Sequence, residues 1–462
     1  MRPSPTVIPL PYFADSAHWF AALSGWRSPV WLDSGHPGSS YGRYDILAAE
    51  PDQQLTTFGG QTHIERSGKP ALRSTDNPFA LIERHSPPPL APVPGLPFVT
   101  GAIGYFGYDL GRSASGPDQA QSDVGLPDLW LGFYPWAVIQ DHREQRCFLV
   151  CRPESPAPEI QARLMAGLDK VDLMSFIKSE DLSFNINHFK ANIKADYYLK
   201  SLGRIQEYIR AGDCYQVNFA QRFSADYTGD PARAYLALRQ TLPSPFSGYI
   251  PLEAGAILSL SPERFVELRG GRAETKPIKG TMARGDTPES DRANAEALVA
   301  SAKNRAENLM IVDLLRNDLS KSCTRVEVPQ LFELQSFANV HHLVSTVTGQ
   351  LRPDASALDL LAGCFPGGSI TGAPKIRAME IIEELEPSRR SVYCGSLGYL
   401  SADGAMDTNI AIRTLVCDRG RMHCWGGGGI VADSDPEEEY RESIAKVEVL
   451  MRTLEQKFGA SS

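Results

Sequence analysis

Several things are scarce in this chain of 462 residues. No stretch offers the run of about 18 apolar residues that a membrane-crossing helix needs. The opening MRPSPTVIPLPYF puts prolines where a secretory leader carries an apolar helix. Together these absences imply a cytoplasmic protein. Positive charge is short as well: 46 Lys and Arg face 55 Asp and Glu, a formal net charge of −9. No global field therefore draws the chain to nucleic acid or to an anionic membrane, and an anionic substrate has to be held by local groups. The eight cysteines (Cys147, Cys151, Cys214, Cys323, Cys364, Cys394, Cys417 and Cys424) form no CxxC pair and no regular spacing with histidine. That pattern excludes a disulfide framework and a zinc cluster, and reads as buried small hydrophobes.

Low-complexity tracts and internal repeats are absent too. What remains is 42% hydrophobic and 22% charged residues, the composition of an ordinary globular enzyme, at a length that implies one large composite core or two domains. Up to about residue 153 the pattern is β-rich; WAVIQDHREQRCFLVC reads as two strands flanking a polar turn. The proline cluster HSPPPLAPVPGLPF can neither continue a helix nor enter a sheet, so it reads as an extended connection. A proline-rich break places a boundary between 152 and 188, separating a portion over 1–170 from one over 185–462. Beyond it the periodicity predicts helices over 197–211, 290–319, 374–385 and 436–457. Strands are predicted over AILSLSPERFVELRG, HHLVSTVTGQL, YCGSLGYLS and NIAIRTLVCD.

The chemistry-bearing residues fall in this second portion. In KPIKGT, Lys279 stands between β-branched Ile278 and Gly280, a tight frame for a lysine. SPERF places Glu263 at a strand end, and the turn RGGR predicts a hairpin that brings Glu263 and Lys279 into one neighbourhood, the enclosed setting a nucleophilic lysine needs. His341 and His342 are adjacent on a strand, so only one of them points into any given cleft. Glu307 opens an apolar helical run in AENLMIVDLLRND; it is either a solvated helix start or a buried carboxylate whose desolvation a cation offsets. In DSDPEEEYRESIAKVEVLM, Asp435 caps and Pro436 opens a helix whose dipole favours the three glutamates that follow. Glu439 and Glu442 are three apart and share a face, an arrangement open to a purely structural or a cation-binding role.

FPGGSITGAPKIR matches the first half of a phosphate loop, but Ala373 and Pro374 occupy the Lys and Ser/Thr positions, so the phosphate-clamping cation is missing and a carboxylate suits the site better. The glycines of WGGGGIVADS allow close backbone approach to a ligand, or simply a tight connection. Arg413, between apolar neighbours on a predicted strand, has to find an anion, whether substrate or side chain.

In this order, SPERF, KPIKGT, AENLMIVDLLRND, HHLVS, GGSITGAPK, NIAIRT and GGGGIVADSDPEEEY resemble the chorismate-utilising enzymes. That family includes anthranilate synthase component I, aminodeoxychorismate synthase component I, and the isochorismate and salicylate synthases. VWLDSG, YGRYDILAAEP and GAIGYFGYDLGR resemble the companion region of the first two. The resemblance implies an α/β (α+β) unit of two antiparallel sheets packed face to face with helices outside, to which both portions contribute.

It also implies roles. Glu307 and Glu442 correspond to ligands of a Mg²⁺ ion that holds the ring carboxylate of chorismate, and Glu439 to a residue acting through metal-bound water. Most relatives carry a further glutamate three positions before Glu307, where this chain has Asn304. Tyr393 and Arg413 correspond to the holders of the pyruvyl carboxylate, aided by backbone N–H groups near Gly427 and Gly428. His342 corresponds to the residue beside the departing C4 hydroxyl, and Thr371 and Ala373 to the lining of the ring pocket. Isochorismate and salicylate formers activate water with a lysine at the position of Gln216, which cannot act as a base.

Position 279 is alanine in anthranilate synthases and lysine in aminodeoxychorismate synthases. The resemblance therefore implies attack of Lys279 at C2 with Glu263 as general acid, then addition of ammonia at C4 to give 4-amino-4-deoxychorismate for p-aminobenzoate and folate. No cysteine here sits in the glycine-framed elbow of a glutaminase, so ammonia is expected from a separate glutamine amidotransferase subunit. A separate aminodeoxychorismate lyase is expected to act next. Leu32, Asp33 and Ser34 resemble the border of a tryptophan pocket in relatives. Two other readings exist: an anthranilate synthase, against which Lys279 argues, and an inert binder of chorismate or tryptophan, against which the full set of Glu263, Lys279, Glu307 and Glu442 argues.

Overall fold

The structure, a computed structural model, describes residues 2–39, 42–114, 123–170, 172–173, 183–336 and 340–459. The stretch from 152 to 188, where the sequence places a boundary, lies partly outside them. Among the described residues the strands form two sheets, of thirteen and twelve strands. Both sheets mix the two portions of the chain. In the larger, Val30–Asp33 pairs with Phe246–Leu252; in the smaller, Gly101–Phe106 pairs with Ser396–Ser401.

Alternation along the strands of the larger sheet shows how the layers stack. The expected hairpin forms, Trp136–Asp141 against Arg146–Cys151, and every residue of Trp136–Asp141 is buried. Its side chains go alternately to two cores: Ala137 and Ile139 join the cluster shared with the smaller sheet, including Ile103, Leu131 and Val266, while Trp136 and Val138 join a second cluster. Residues of the helices Ala17–Ala22, Ala157–Leu168, Pro231–Thr241 and Pro436–Phe458 fill that second cluster. A strand covered on both faces has no polar side to show, which is why WAVIQD carries so little polar alternation. The result is the expected pair of antiparallel sheets face to face with helices outside. All eight cysteines are buried and unpaired, as expected.

Three expected elements differ. The helix over 290–319 is two, Pro288–Ala300 and Ala302–Ser320, because Ser301 leaves helical geometry and its side chain caps the second by accepting from the Asn304 backbone N–H. The strand expected over AILSLSPERFVELRG breaks at Pro262–Glu263: Gly255–Ser261 belongs to the larger sheet and Arg264–Arg269 to the smaller. Proline has no N–H for the ladder, so the chain is free to change sheets there. NIAIRTLVCD breaks likewise, with Met406–Asn409 in the smaller sheet and Thr414–Asp418 in the larger. Arg413 between them is off the strand, in left-handed backbone at φ 48°.

These two crossings are bonded to each other. The Ile410 N–H donates to the Glu263 carbonyl at 3.0 Å, the Leu260 N–H to the Arg413 carbonyl at 3.0 Å, and the Ser261 hydroxyl to the Ile410 carbonyl at 2.6 Å. Glu263 and Arg413 thus stand side by side on the seam where the sheets join.

Two strands along the larger sheet from Gly255–Ser261, a buried ion pair ties Val30–Asp33 to the helix Pro231–Thr241. Arg239 donates from Nε to Asp33 Oδ2 at 2.7 Å, with Tyr235 donating to the same oxygen at 2.9 Å. The two side chains are 5% and 0% exposed. Removing one partner strands a buried charge, so Arg239→Ala is expected to cost about 3–5 kcal/mol, measured by urea unfolding.

Candidate active site

The frame around Lys279 is a β-bulge. Ile278–Ala283 pairs with Val340–Leu351, Ile278 opposite Val344 and Thr281 opposite His342, so Lys279 and Gly280 together oppose the single residue Leu343. Gly280 takes φ 88°, and a Cβ there would come within 3.0 Å of Leu298 and of Asn304. Only glycine both turns this corner and lets the strand lie against the helix Ala302–Ser320. The hairpin expected at RGGR closes, Arg269 opposite Arg272, but its second strand ends at Thr275 and pairs onward with Val340–Leu351. Lys279 therefore reaches Glu263 by way of a third strand and not as its hairpin partner.

One serine joins the two. Lys279 Nζ donates to the Ser369 carbonyl at 3.1 Å, and the Ser369 hydroxyl donates to Glu263 Oε1 at 3.2 Å. Burial lowers Lys279 below the ordinary lysine value of 10.5, against the pull of Glu263, and raises Glu263 above the ordinary carboxyl value of 4.5, against the pull of Lys279. Desolvation disfavours both charged forms. The site thus leans toward a free amine and a protonated acid, the states needed by a nucleophile and a proton donor.

Both line a cavity of about 540 Å³, with His342, Tyr393, Arg413 and Gly427. Glu307, Glu439 and Glu442 border it too. His342 is buried, its Nδ1 at 2.8 Å from the Thr281 hydroxyl, while His341 on the other face meets Asp291 and Ser336. Burial, reinforced by the Arg413 guanidinium, pushes His342 down to about 4. His342 is accordingly expected to stay neutral from pH 8 to pH 5, with its ring ¹⁵N shifts in NMR showing no titration near 6.5. Arg413 has no ion-pair partner among the described residues, so its guanidinium is free to take an anion from the cavity. The Tyr393 ring stacks on Trp425, centroids 5.8 Å apart at 6°.

The carboxylates come from two helices. Ala302–Ser320 supplies Glu307, and Pro436–Phe458 supplies Glu439 and Glu442. The second helix lies directly on the glycine run of strand Arg421–Ile430: a Cβ on Gly426 would come 1.9 Å from the Ser443 carbonyl. Burial raises Glu307 and Glu439, and the neighbouring Glu442 raises both further. For Glu442 the burial effect is outweighed by Lys446, whose Nζ is 2.7 Å from Oε1, and the net shift is downward. Among the described residues no three such groups converge closely enough to hold a metal ion as they stand. The donor set nevertheless fits a hard divalent cation: three carboxylates border one cavity, and two of them are raised by burial and further by Glu442, costs that a cation offsets.

Lys446 also donates to the Gly427 carbonyl at 2.9 Å, so Gly427 turns its peptide groups to the cavity edge. Pairing with Thr414–Asp418 stops at Cys424, which leaves that edge open. Antiparallel geometry then turns Gly428 the other way, toward its partner Phe219, so the expected pair of N–H groups reduces to Gly427. Thr371, Ala373 and Gln216 lie beside the cavity without being part of its lining. The Thr371 hydroxyl bonds the Gly367 carbonyl at 2.9 Å, Ala373 pairs with Gln216, and the Gln216 amide lies 2.7 Å from where a Gly429 Cβ would be.

Sequence reasoning did not single out Lys446, Lys303, Ser369, Asn218 and Trp425, which line the same cavity. Lys446 had a signal, four residues after Glu442 on one helix face. Ser369 had none.

A second cavity, of about 410 Å³, is bordered by Leu32, Asp33 and Ser34 with Tyr44, Phe246 and Tyr399. The Asp33 carboxylate is committed to Arg239 and Tyr235, so of the three expected residues Leu32 and Ser34 are the ones with side chains to offer a ligand there.

Two sheets joined at a seam, with an enclosed lysine and acid beside a wall of carboxylates and an open guanidinium, define a fold and site for a small anionic substrate. The chain belongs to the chorismate-binding enzyme family, whose model it matches over residues 27–452. It is 46% identical over 459 residues to aminodeoxychorismate synthase component 1 of Escherichia coli strain K12, covering 98% of this chain and 99% of that one. It is 35% identical to anthranilate synthase component 1 of Acinetobacter calcoaceticus, with 94% and 92% covered. Among solved structures, anthranilate synthase component I of Streptococcus pneumoniae TIGR4 superposes with a TM-score of 0.78 at 33% identity, covering 89% of this chain and 92% of that one.

Proposed function

We propose that this chain converts chorismate and ammonia to 4-amino-4-deoxychorismate and water. The observation that carries the reading is Lys279, set by its bulge in the cavity and joined through Ser369 to Glu263. In anthranilate synthases the corresponding alanine leaves C2 open; here the lysine occupies that position.

In the first step Lys279 Nζ forms a bond to C2, the ring double bonds shift, and the C4–O bond breaks while Glu263 gives its proton to the departing hydroxyl. Ammonia then bonds to C4, the electrons shift back, the C2–Nζ bond breaks to return Lys279 as an amine, and the proton that the new C4 ammonium gives up returns to Glu263. Arg413 and Tyr393, with the Gly427 N–H, hold the pyruvyl carboxylate, and His342 stays neutral beside C4. Glu307 and Glu442, with Glu439, would hold Mg²⁺, which when bound neutralises the ring carboxylate.

Ammonia reaches the chain from a separate glutamine amidotransferase subunit, and a separate lyase consumes the product. No helix among the described residues is long and apolar enough to cross a membrane, in keeping with a cytoplasmic site of action. The second cavity is a tryptophan site bordered by Leu32 and Ser34. The test is incubation of the purified chain with chorismate, Mg²⁺ and ammonium at alkaline pH, with and without an added lyase. A 4-amino product that the lyase turns into p-aminobenzoate is expected; anthranilate as the main product would sink the reading, and no turnover would favour an inert binder.

A further inference from the structure

Beneath the cavity, Arg390 is 1% exposed, deeper than any residue the reaction needs to touch. Its guanidinium makes four hydrogen bonds. Nε and Nη2 donate to Glu386 at 2.9 and 2.6 Å, Nη2 also to the Asn218 carbonyl at 2.8 Å, and Nη1 to the Ile370 carbonyl at 2.9 Å. Glu386 in turn accepts the Ala220 N–H at 2.8 Å. The guanidinium also lies 4.9 Å from the Tyr108 ring centroid and 5.8 Å from that of Tyr393.

A buried ion pair is a weak source of stability, since apolar residues of like volume often do as well. What this one supplies is geometry. It joins the turn that carries Tyr393, the strand Gln216–Gly229, and the short turn Gly368–Ile370. The Asn218 N–H, donating to the Thr371 carbonyl at 2.8 Å, closes the same ring of contacts. Ile370 is the neighbour of Ser369, whose carbonyl receives Lys279 and whose hydroxyl reaches Glu263. The peptide that Arg390 holds thus adjoins the peptide that accepts from Lys279, and the residue between them and Glu263 is Ser369.

We propose that Arg390, paired with Glu386, is the positioning residue of the Lys279–Glu263 pair, acting through the Ile370 carbonyl on Ser369. This rests on the roles given to Lys279 and Glu263 above. Arg390→Lys keeps the charge but cannot span Glu386, Asn218 and Ile370 at once. A displacement of about 1 Å costs about 100-fold in rate, so kcat for the 4-amino product should fall by about that factor. The chorismate KM should rise by clearly less than kcat falls, because of the three groups that hold the pyruvyl carboxylate only Tyr393 stands in the turn that carries Arg390, while Arg413 and Gly427 stand elsewhere.

Ser369→Ala alone should lower kcat by about tenfold, and the Arg390→Lys/Ser369→Ala double variant should lose no more than Arg390→Lys, because the two act by one route. An undiminished kcat, a KM that worsens in step with kcat, or losses that multiply in the double variant would each overturn the positioning role. If Arg390→Lys does not fold, Glu386→Gln carries the same expectations and the same reversals. Wild-type protein that forms no 4-amino product removes the functional reading and this role with it; wild-type turnover with any of the three reversals overturns the positioning role alone.

Discussion

Lys279→Ala is expected to lower formation of the 4-amino product by about 10⁴-fold or more, the scale seen when a covalent nucleophile is deleted from a catalytic unit. The binding groups are separate from the nucleophile: Arg413 stands on the seam, and the glutamates stand on two helices. The chorismate KM should therefore change by only a few fold, measured under the same ammonium-dependent conditions. Mass spectrometry of the quenched reaction should show a substrate-derived adduct on the wild-type peptide carrying Lys279 and none on the variant. Unchanged amination at C4 would remove the covalent role and leave the lysine as a steric block.

Glu263→Gln is expected to cost about 10²–10⁴-fold in kcat, the contribution of a general acid, because the amide keeps a contact with Ser369 but has no proton to give the departing hydroxyl. The sign of its effect on pH dependence follows from the pair. Burial already holds Lys279 below 10.5, and Glu263 opposes that whenever it is ionised, as its carboxylate favours the ammonium. With the carboxyl gone, the acid limb of the profile should move to lower pH, since less alkaline solution then suffices to free the amine. A limb that moves to higher pH would mean that the two groups do not titrate as neighbours.

Most of the fold's components were legible in the sequence, because a strand such as Trp136–Asp141 and a helix such as Pro436–Phe458 are set by local pattern and capping. The changes of sheet were not. AILSLSPERFVELRG and NIAIRTLVCD each read as one strand, since the apolar pattern continues straight through Pro262 and Arg413 although the partners change there. Periodicity reports burial but does not say against what. The candidate site shows the same division. Lys279, Glu263, Glu307 and Glu442 stand out by residue type, so motif reading singled them out, and they line one cavity. Gln216, Thr371 and Ala373 stand next to the cavity but outside its lining, and which residues of a strand line a cavity depends on which side is turned inward. The Ser369 carbonyl accepts from Lys279 and the Ile370 carbonyl accepts from Arg390, and backbone carbonyls carry no residue label at all.

The bulge at Lys279 and Gly280 also has an arithmetic side. Two residues stand there where the facing strand has one, so removal of a single residue would restore an unbroken ladder with Val340–Leu351. In a regular ladder a shift by one residue exchanges the two faces, and the lysine would leave the cavity with its amine intact. The capacity for this chemistry is thus written partly as a count of residues, and an alignment that closed the gap at this position would keep every catalytic side chain and lose the enzyme.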